Sequence, residues 1–275
     1  MYKQLQQRGM ESPPVNISTL RDMRQAREPI ACLTAYDASF AQLVDVAGTD
    51  VVLVGDSLGM VIQGLDTTVP VTVDDIIYHS RCVARGLRRG FLMVDMPFMS
   101  YTTREQALDN AIRIMQEGGA KMVKLEIGRG QIGIVEFLAS QDIPLCAHLG
   151  LKPQSVHKVG GFRVQGREEA AAEQMVRDAK ALEEAGADIV LLECIPAKLG
   201  ARITQELHVP VIGIGAGPDT DGQILVLYDV LDVTSGRKPK FSKNFLAGHD
   251  SALAAVKAYA EAVKSKTYPG PEHCF

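Results

Sequence analysis

Apolar residues in this chain gather into short continuous runs instead of alternating with polar ones, the pattern of strands covered on both faces. Eight such runs stand in order: IACLTAY (30–36), VVLVGD (51–56), FLMVDMP (91–97), MVKLE (122–126), LCAHLG (145–150), IVLLEC (189–194), VIGIGAG (211–217) and ILVLYDV (224–230), the last the least regular. Between them, VDDIIYHSRCVARGL (73–87), TREQALDNAIRIMQEGG (103–119) and REEAAAEQMVRDAKALEEAGA (167–187) have helical periodicity and end at or near glycine. That alternation predicts βα units on a parallel sheet. Eight strands imply a closed (β/α)8 TIM barrel; a six-stranded, doubly wound sheet is the alternative.

The flanks fit the barrel. Residues 1–17 are polar up to Pro13-Pro14 and read as a flexible arm, leaving 18–275 as one barrel domain. Thr19 with Asp22 resembles a capping box, predicting a short helix over 19–27 that plugs the bottom of the barrel. A last helix, roughly 250–264, runs to the Pro269-Gly270 stop and is free to cover the barrel or pack on a partner subunit. Two segments after strands, 65–75 and 149–167, exceed ordinary loop length. Long βα loops belong to the catalytic face of a barrel, so both read as substrate walls or lids.

Four runs end in an acid: Asp56, Asp95, Glu126 and Glu193. Strand ends of a parallel barrel open on one face, so these residues converge although they are distant in sequence. Lys124 and Glu126, two residues apart, share the inward side of their strand while Val123 and Leu125 face the helices. Charges buried there require partners, a metal or a charged ligand; a structural ion pair is the plainer possibility. Asp56, Asp95 and Glu126 together offer oxygen donors suited to Mg2+, although either aspartate alone also suits a helix cap, and Ser57 adds a hydroxyl or backbone N–H. Glu193, followed by the Cys194-Ile195-Pro196 turn, suits a general base in a partly apolar pocket, with capping or ion pairing as its plainer role. His148 is the best placed of the six histidines, either as a site residue or as a hydrogen-bonded barrel residue.

Composition narrows the class. With 275 residues, 46% of them hydrophobic, the chain can bury a large core. A net charge of −4 and a pI near 5.9 provide no field for nucleic acid or an anionic membrane surface, which leaves small molecules as partners. No apolar run reaches the roughly 20 residues of a membrane span, and no secretory h-region opens the chain, so a cytoplasmic location is expected. Five cysteines without a C-x-x-C pair fit a reducing compartment, with Cys32, Cys146 and Cys194 as small core residues. GIGAG (213–217) lacks the dinucleotide fingerprint and reads as space at the mouth or as an anion-facing backbone. Nucleotide-hydrolase, serine-esterase and zinc-protease motifs are absent from the sequence.

The strings VGDSLGMVIQG, DTTVPVTVDDIIYH, DMPFMSY, MVKLE, HLGLKPQS, GGFRVQGR, LLECIP, IGIGAG and PKFSKNF closely resemble the 3-methyl-2-oxobutanoate (ketopantoate) hydroxymethyltransferase family, in order and at matching spacing from about residue 18 onward. The resemblance implies a barrel related to the phosphoenolpyruvate mutase and isocitrate lyase group, assembled as a homo-oligomer, commonly a decamer. It implies hydroxymethyl transfer from 5,10-methylenetetrahydrofolate to 3-methyl-2-oxobutanoate, giving 2-dehydropantoate and tetrahydrofolate in pantothenate synthesis, through a Mg2+-stabilised enolate. Position by position it implies Mg2+ ligands at Asp56, Asp95 and Glu126, keto-acid contacts at Asp56, Ser57, Asp95 and Lys124, a base at Glu193, and an active-site histidine at His148. One departure is Ile127, where family members often carry glycine. A carbon–carbon lyase on the same barrel would share these acids but turn over without folate.

Overall fold

The computed structural model describes residues 13–234 and 238–275 of the chain. Eight parallel strands close on themselves in sequence order: β1 (Ile30–Thr34), β2 (Val51–Val54), β3 (Phe91–Asp95), β4 (Met122–Glu126), β5 (Leu145–Gly150), β6 (Ile189–Glu193), β7 (Val211–Ile214) and β8 (Gly222–Leu225). Helices α1 (Ile17–Gln25), α2 (Ala38–Val46), α3 (Leu58–Val61), α4 (Val73–Gly86), α5 (Arg104–Gln116), α6 (Ile132–Ala139), α7 (Val156–Val159), α8 (Glu169–Glu184), α9 (Ala197–Glu206), α10 (Leu227–Val230) and α11 (Ala252–Lys264) complete the architecture. The expected (β/α)8 barrel is therefore the fold. None of the helices among the described residues is long and apolar enough to cross a membrane.

Strands four and five have the expected limits, whereas the eighth is displaced. ILVLYDV contains only the end of β8, which starts at Gly222, and Leu227–Val230 is the short helix α10. A Cβ at Gly222 would meet Ile30 O at 2.5 Å, so glycine permits the approach of β1 that closes the barrel. Thr34 Oγ1 accepts from Leu227 N–H at 3.0 Å, as the chain leaves the strand and enters α10. An unbroken apolar run carries no mark of that change of conformation.

At the bottom, α1 starts earlier than expected because Asn16 is its cap: Asn16 Oδ1 accepts from Thr19 N–H and Thr19 Oγ1 from Asn16 N–H. Part of the expected arm is thus in the fold, with Val15 buried and its N–H donating to Arg89 O; residues 1–12 lie outside the described residues. Leu20 and Met23 face the core, while Arg21 pairs with Asp188 and Arg24 with Asp221, the residues preceding β6 and β8. The helix therefore lies under the barrel, as its amphipathic pattern predicts.

The last helix covers the side of the barrel, against β1. Tyr259 is fully buried, and its hydroxyl lies 2.8 Å from Cys32 O and 3.0 Å from Gln223 O, across the β1–β8 seam. Cys32, Cys146 and Cys194 are buried core residues, and the five cysteines are unpaired.

Buried Asp45, near the end of α2, accepts from the backbone N–H groups of Arg88, Arg89 and Gly90, anchoring the turn that feeds β3. Asp45→Ala would strand these donors and is expected to cost about 3 kcal/mol, with Asp45→Asn costing about half as much. The shift in denaturation midpoint checks both values.

Candidate active site

Strand register assembles the charged residues before any loop is considered. Asp95 pairs with Lys124 across β3 and β4, Glu126 with His148 across β4 and β5, and Gly150, two residues beyond His148, with Glu193 across β5 and β6. Neighbours in a parallel sheet project to the same side, and alternation along β4 keeps Lys124 and Glu126 together. Asp95, Lys124, Glu126, His148 and Glu193 therefore enter one inward-facing set. Asp56 follows β2 by two residues, and its N–H donates to Asp95 Oδ2 at 3.0 Å.

Lys124 is at the centre of this set. Its Nζ lies 2.6 Å from Asp95 Oδ1, a buried, charge-assisted ion pair. The plainer ion-pair role is thus real, but Asp95 and not Glu126 is the partner. Burial pulls the lysine proton affinity down, and the charges of Asp95, Glu126 and Asp56 outweigh it, so Lys124 stays charged well above the ordinary lysine range.

A charged Lys124 also fixes its neighbour. Its Nζ donates to His148 Nδ1 at 3.4 Å, which places the imidazole proton on Nε2. That nitrogen faces Glu193 Oε2 at 3.3 Å, near it but off line for a hydrogen bond. Burial, then the charges of Lys124 and Lys152, hold the His148 pKa well below its ordinary value, so the ring is neutral.

The carboxylates are crowded. Burial and the Asp95 charge push Asp56 up to about 7, against the opposing pull of Lys124 and hydrogen bonds from Gln154 and Thr68. Burial and Asp56 raise Glu126 well above the usual carboxyl range. Burial pushes Glu193 up to about 8, with Lys124 opposing and Asp56 and Asp95 assisting. These acids share a place with more negative charge than one lysine neutralises, the electrostatic condition a divalent cation relieves. Among the described residues, no group of three or more His, Cys, Asp or Glu side chains is already arranged around a metal position.

Backbone contacts hold Glu193 in place. Glu193 O accepts from Leu151 N–H at 2.8 Å, and Gly150, at φ +92°, lies so close that a Cβ would collide with that oxygen. Cys194 follows at φ +49°, a left-handed conformation that turns the chain out of β6, while its carbonyl accepts from Gln165 N–H. Ser57 does not cap α3 through its side chain; its Oγ hydrogen-bonds Tyr36 Oη at 2.8 Å. Ile127 is buried, and its N–H donates to His148 O, so the departure at this position is absorbed into the core.

GIGAG has a packing role. Rings of Phe241 and Phe275 approach Gly215, and Ala197 at the start of α9 lies against Gly217. The space left by those glycines is filled by protein. Three buried residues of the site carry no mark in the sequence pattern: Tyr36, Tyr101 and Gln154. The last two extend the site to the segment after β5, where a cavity of about 180 Å³ opens between Glu126, Phe98, Met99 and Lys152.

The ketopantoate hydroxymethyltransferase family model matches residues 14–271. A 3-methyl-2-oxobutanoate hydroxymethyltransferase of Alkalilimnicola ehrlichii is 59% identical over 262 residues, covering 95% of each chain. One from Marinobacter nauticus is 58% identical over 261 residues, covering 95% of this chain and 98% of its own. Among solved structures, phosphonopyruvate hydrolase superposes with a TM-score of 0.60 at 14% identity, covering 77% of this chain and 80% of its own. A 2,3-dimethylmalate lyase of the PEP mutase/isocitrate lyase superfamily superposes with a TM-score of 0.58 at 15% identity, covering 94% and 88%. At those identities the structural likeness shows the fold.

The raised acids set the sign of a pH effect. Asp56 and Glu193 hold protons in the folded chain up to about 7 and 8, whereas the unfolded groups release theirs near their ordinary values of 3.8 and 4.5. Between those limits the folded state binds more protons, so these groups make stability fall as pH rises. In EDTA, melting temperatures of Asp56→Asn and Glu193→Gln are expected to decline less steeply than wild type from pH 4.5 to 8.

Proposed function

The chain belongs to the ketopantoate hydroxymethyltransferase family, and from that premise we propose that its barrel mouth transfers a hydroxymethyl group from 5,10-methylenetetrahydrofolate to 3-methyl-2-oxobutanoate, with water giving 2-dehydropantoate and tetrahydrofolate. One observation supports the residue assignment: Glu193, His148, Lys124 and the crowded carboxylates of Asp56, Asp95 and Glu126 are gathered at the carboxyl ends of the strands.

Asp56, Asp95 and Glu126 would hold a divalent cation, and their hard oxygens favour Mg2+. When bound, the ion supplies Lewis-acid stabilisation of negative charge on the keto oxygen. Asp56, Ser57, Asp95 and Lys124 surround the place for the keto acid, where the Lys124 ammonium balances the substrate carboxylate. Glu193 takes the C3 proton. Its raised proton affinity suits that task near neutrality, since a base is most effective when its pKa lies close to the working pH. His148 brings Nε2 within 3.3 Å of Glu193 Oε2, near enough to hydrogen-bond once that carboxylate turns toward it. The electron pair left at C3 forms the new bond to the one-carbon unit, for which the cavity beside Glu126 is an approach.

Exposed Val46, Tyr78 and Ile112 lie on α2, α4 and α5, which pack in succession around the barrel. They support a homo-oligomer; light scattering of the purified protein is expected to give a multiple of the 29.8 kDa chain mass.

The deciding experiment is NMR of the C3 proton of 3-methyl-2-oxobutanoate in D₂O with protein and Mg2+. Wild type is expected to exchange the proton without folate and to form 2-dehydropantoate once 5,10-methylenetetrahydrofolate is added. Glu193→Gln is expected to lower exchange by about 10²-fold or more. Folded, metal-loaded wild type that neither exchanges nor transfers would sink this assignment.

A further inference from the structure

Gln154 is buried in the short turn Pro153–Ser155 after β5, and every polar group of its side chain is engaged. Its Nε2 donates to Asp56 Oδ2 at 2.8 Å and to Met96 O at 3.0 Å. Its Oε1 accepts from Tyr101 Oη at 2.6 Å. Its backbone N–H donates to Glu126 Oε2 at 3.0 Å. The same hydroxyl of Tyr101 also lies 3.3 Å from Glu126 O. The amide cannot be reversed without setting its oxygen against a carboxylate and a carbonyl, so these partners fix its orientation. One residue of a long βα segment thus touches two acids carried by different strands, β2 and β4.

We propose that Gln154 is a positioning residue of the cation site, with its amide orienting Asp56, its backbone N–H orienting Glu126, and Tyr101 locking the amide. The inference rests on the reading of Asp56, Asp95 and Glu126 as the cation ligands. Each contact engages one oxygen of its carboxylate, Asp56 Oδ2 and Glu126 Oε2. Hydrogen bonds behind a ligand fix its rotamer before the metal arrives, and losing one typically weakens affinity about 10–100-fold. Because the donors come from the segment after β5, seating that segment and preparing the acids are one event. Cation binding and the order of 151–168 are therefore linked.

The test is Mn2+ binding to the full-length protein, read by electron paramagnetic resonance of the free ion, with circular dichroism checking the fold. Gln154→Met keeps apolar volume and removes the amide; its Kd for Mn2+ is expected to rise about 10–100-fold, with exposed His157→Ala on the same segment unchanged. A folded Gln154→Met with wild-type Kd overturns the positioning role while leaving the cation reading intact. Wild type that binds no Mn2+ overturns both. Should Gln154→Met fail to fold, Tyr101→Phe decides: about a threefold or larger rise in Kd supports the inference, and an unchanged value overturns it.

Discussion

A single ammonium group buried among acids organises the catalytic end of this barrel. Lys124 cannot shed its proton while Asp95, Glu126 and Asp56 surround it, and they in turn could not share the space without it. The same charge selects the tautomer of His148 and joins burial in keeping that ring neutral, with Nε2 facing Glu193. Removing one partner from such a cluster leaves the others buried and unpaired, a larger penalty than any surface ion pair carries. The chemistry of the mouth and the integrity of β3 to β6 therefore depend on one another.

Much of this was legible before any coordinates, for a physical reason. Strand periodicity is two, so the offset between Lys124 and Glu126 already places both inside, and the acid-terminated runs converge wherever parallel strands close. The family resemblance added substrates and roles to positions that the pattern had already singled out. Register then shows why Asp95, not Glu126, is the close partner of Lys124, since pairing across strands is set by the shear of the closed sheet and leaves no trace in one strand's sequence.

What the pattern hid is equally instructive. Gln154 lies in a polar segment where composition alone gives no cue to burial, and Tyr101 sits in another loop with no periodicity of its own. The start of the eighth strand was obscured by an apolar run that continues from β8 into α10 without a change of character. GIGAG suggested an anion or an opening, yet its glycines serve close packing by Phe241, Phe275 and Ala197. Each miss concerns a contact made between distant parts of the chain, where local propensity is silent.

The seam bolted by Tyr259 bears on how the molecule is made. Its hydroxyl reaches a carbonyl of β1 across 227 residues of chain, from a helix whose last residue is Lys264. During synthesis, β1 leaves the ribosome before the other strands, and neither β8 nor α11 exists to cover it until all the intervening units have been made. Long-range closure of this kind is slow and leaves strand edges exposed meanwhile. Until then β1 has no neighbour on its β8 side, so the seam that Tyr259 spans is the last part of the barrel to close.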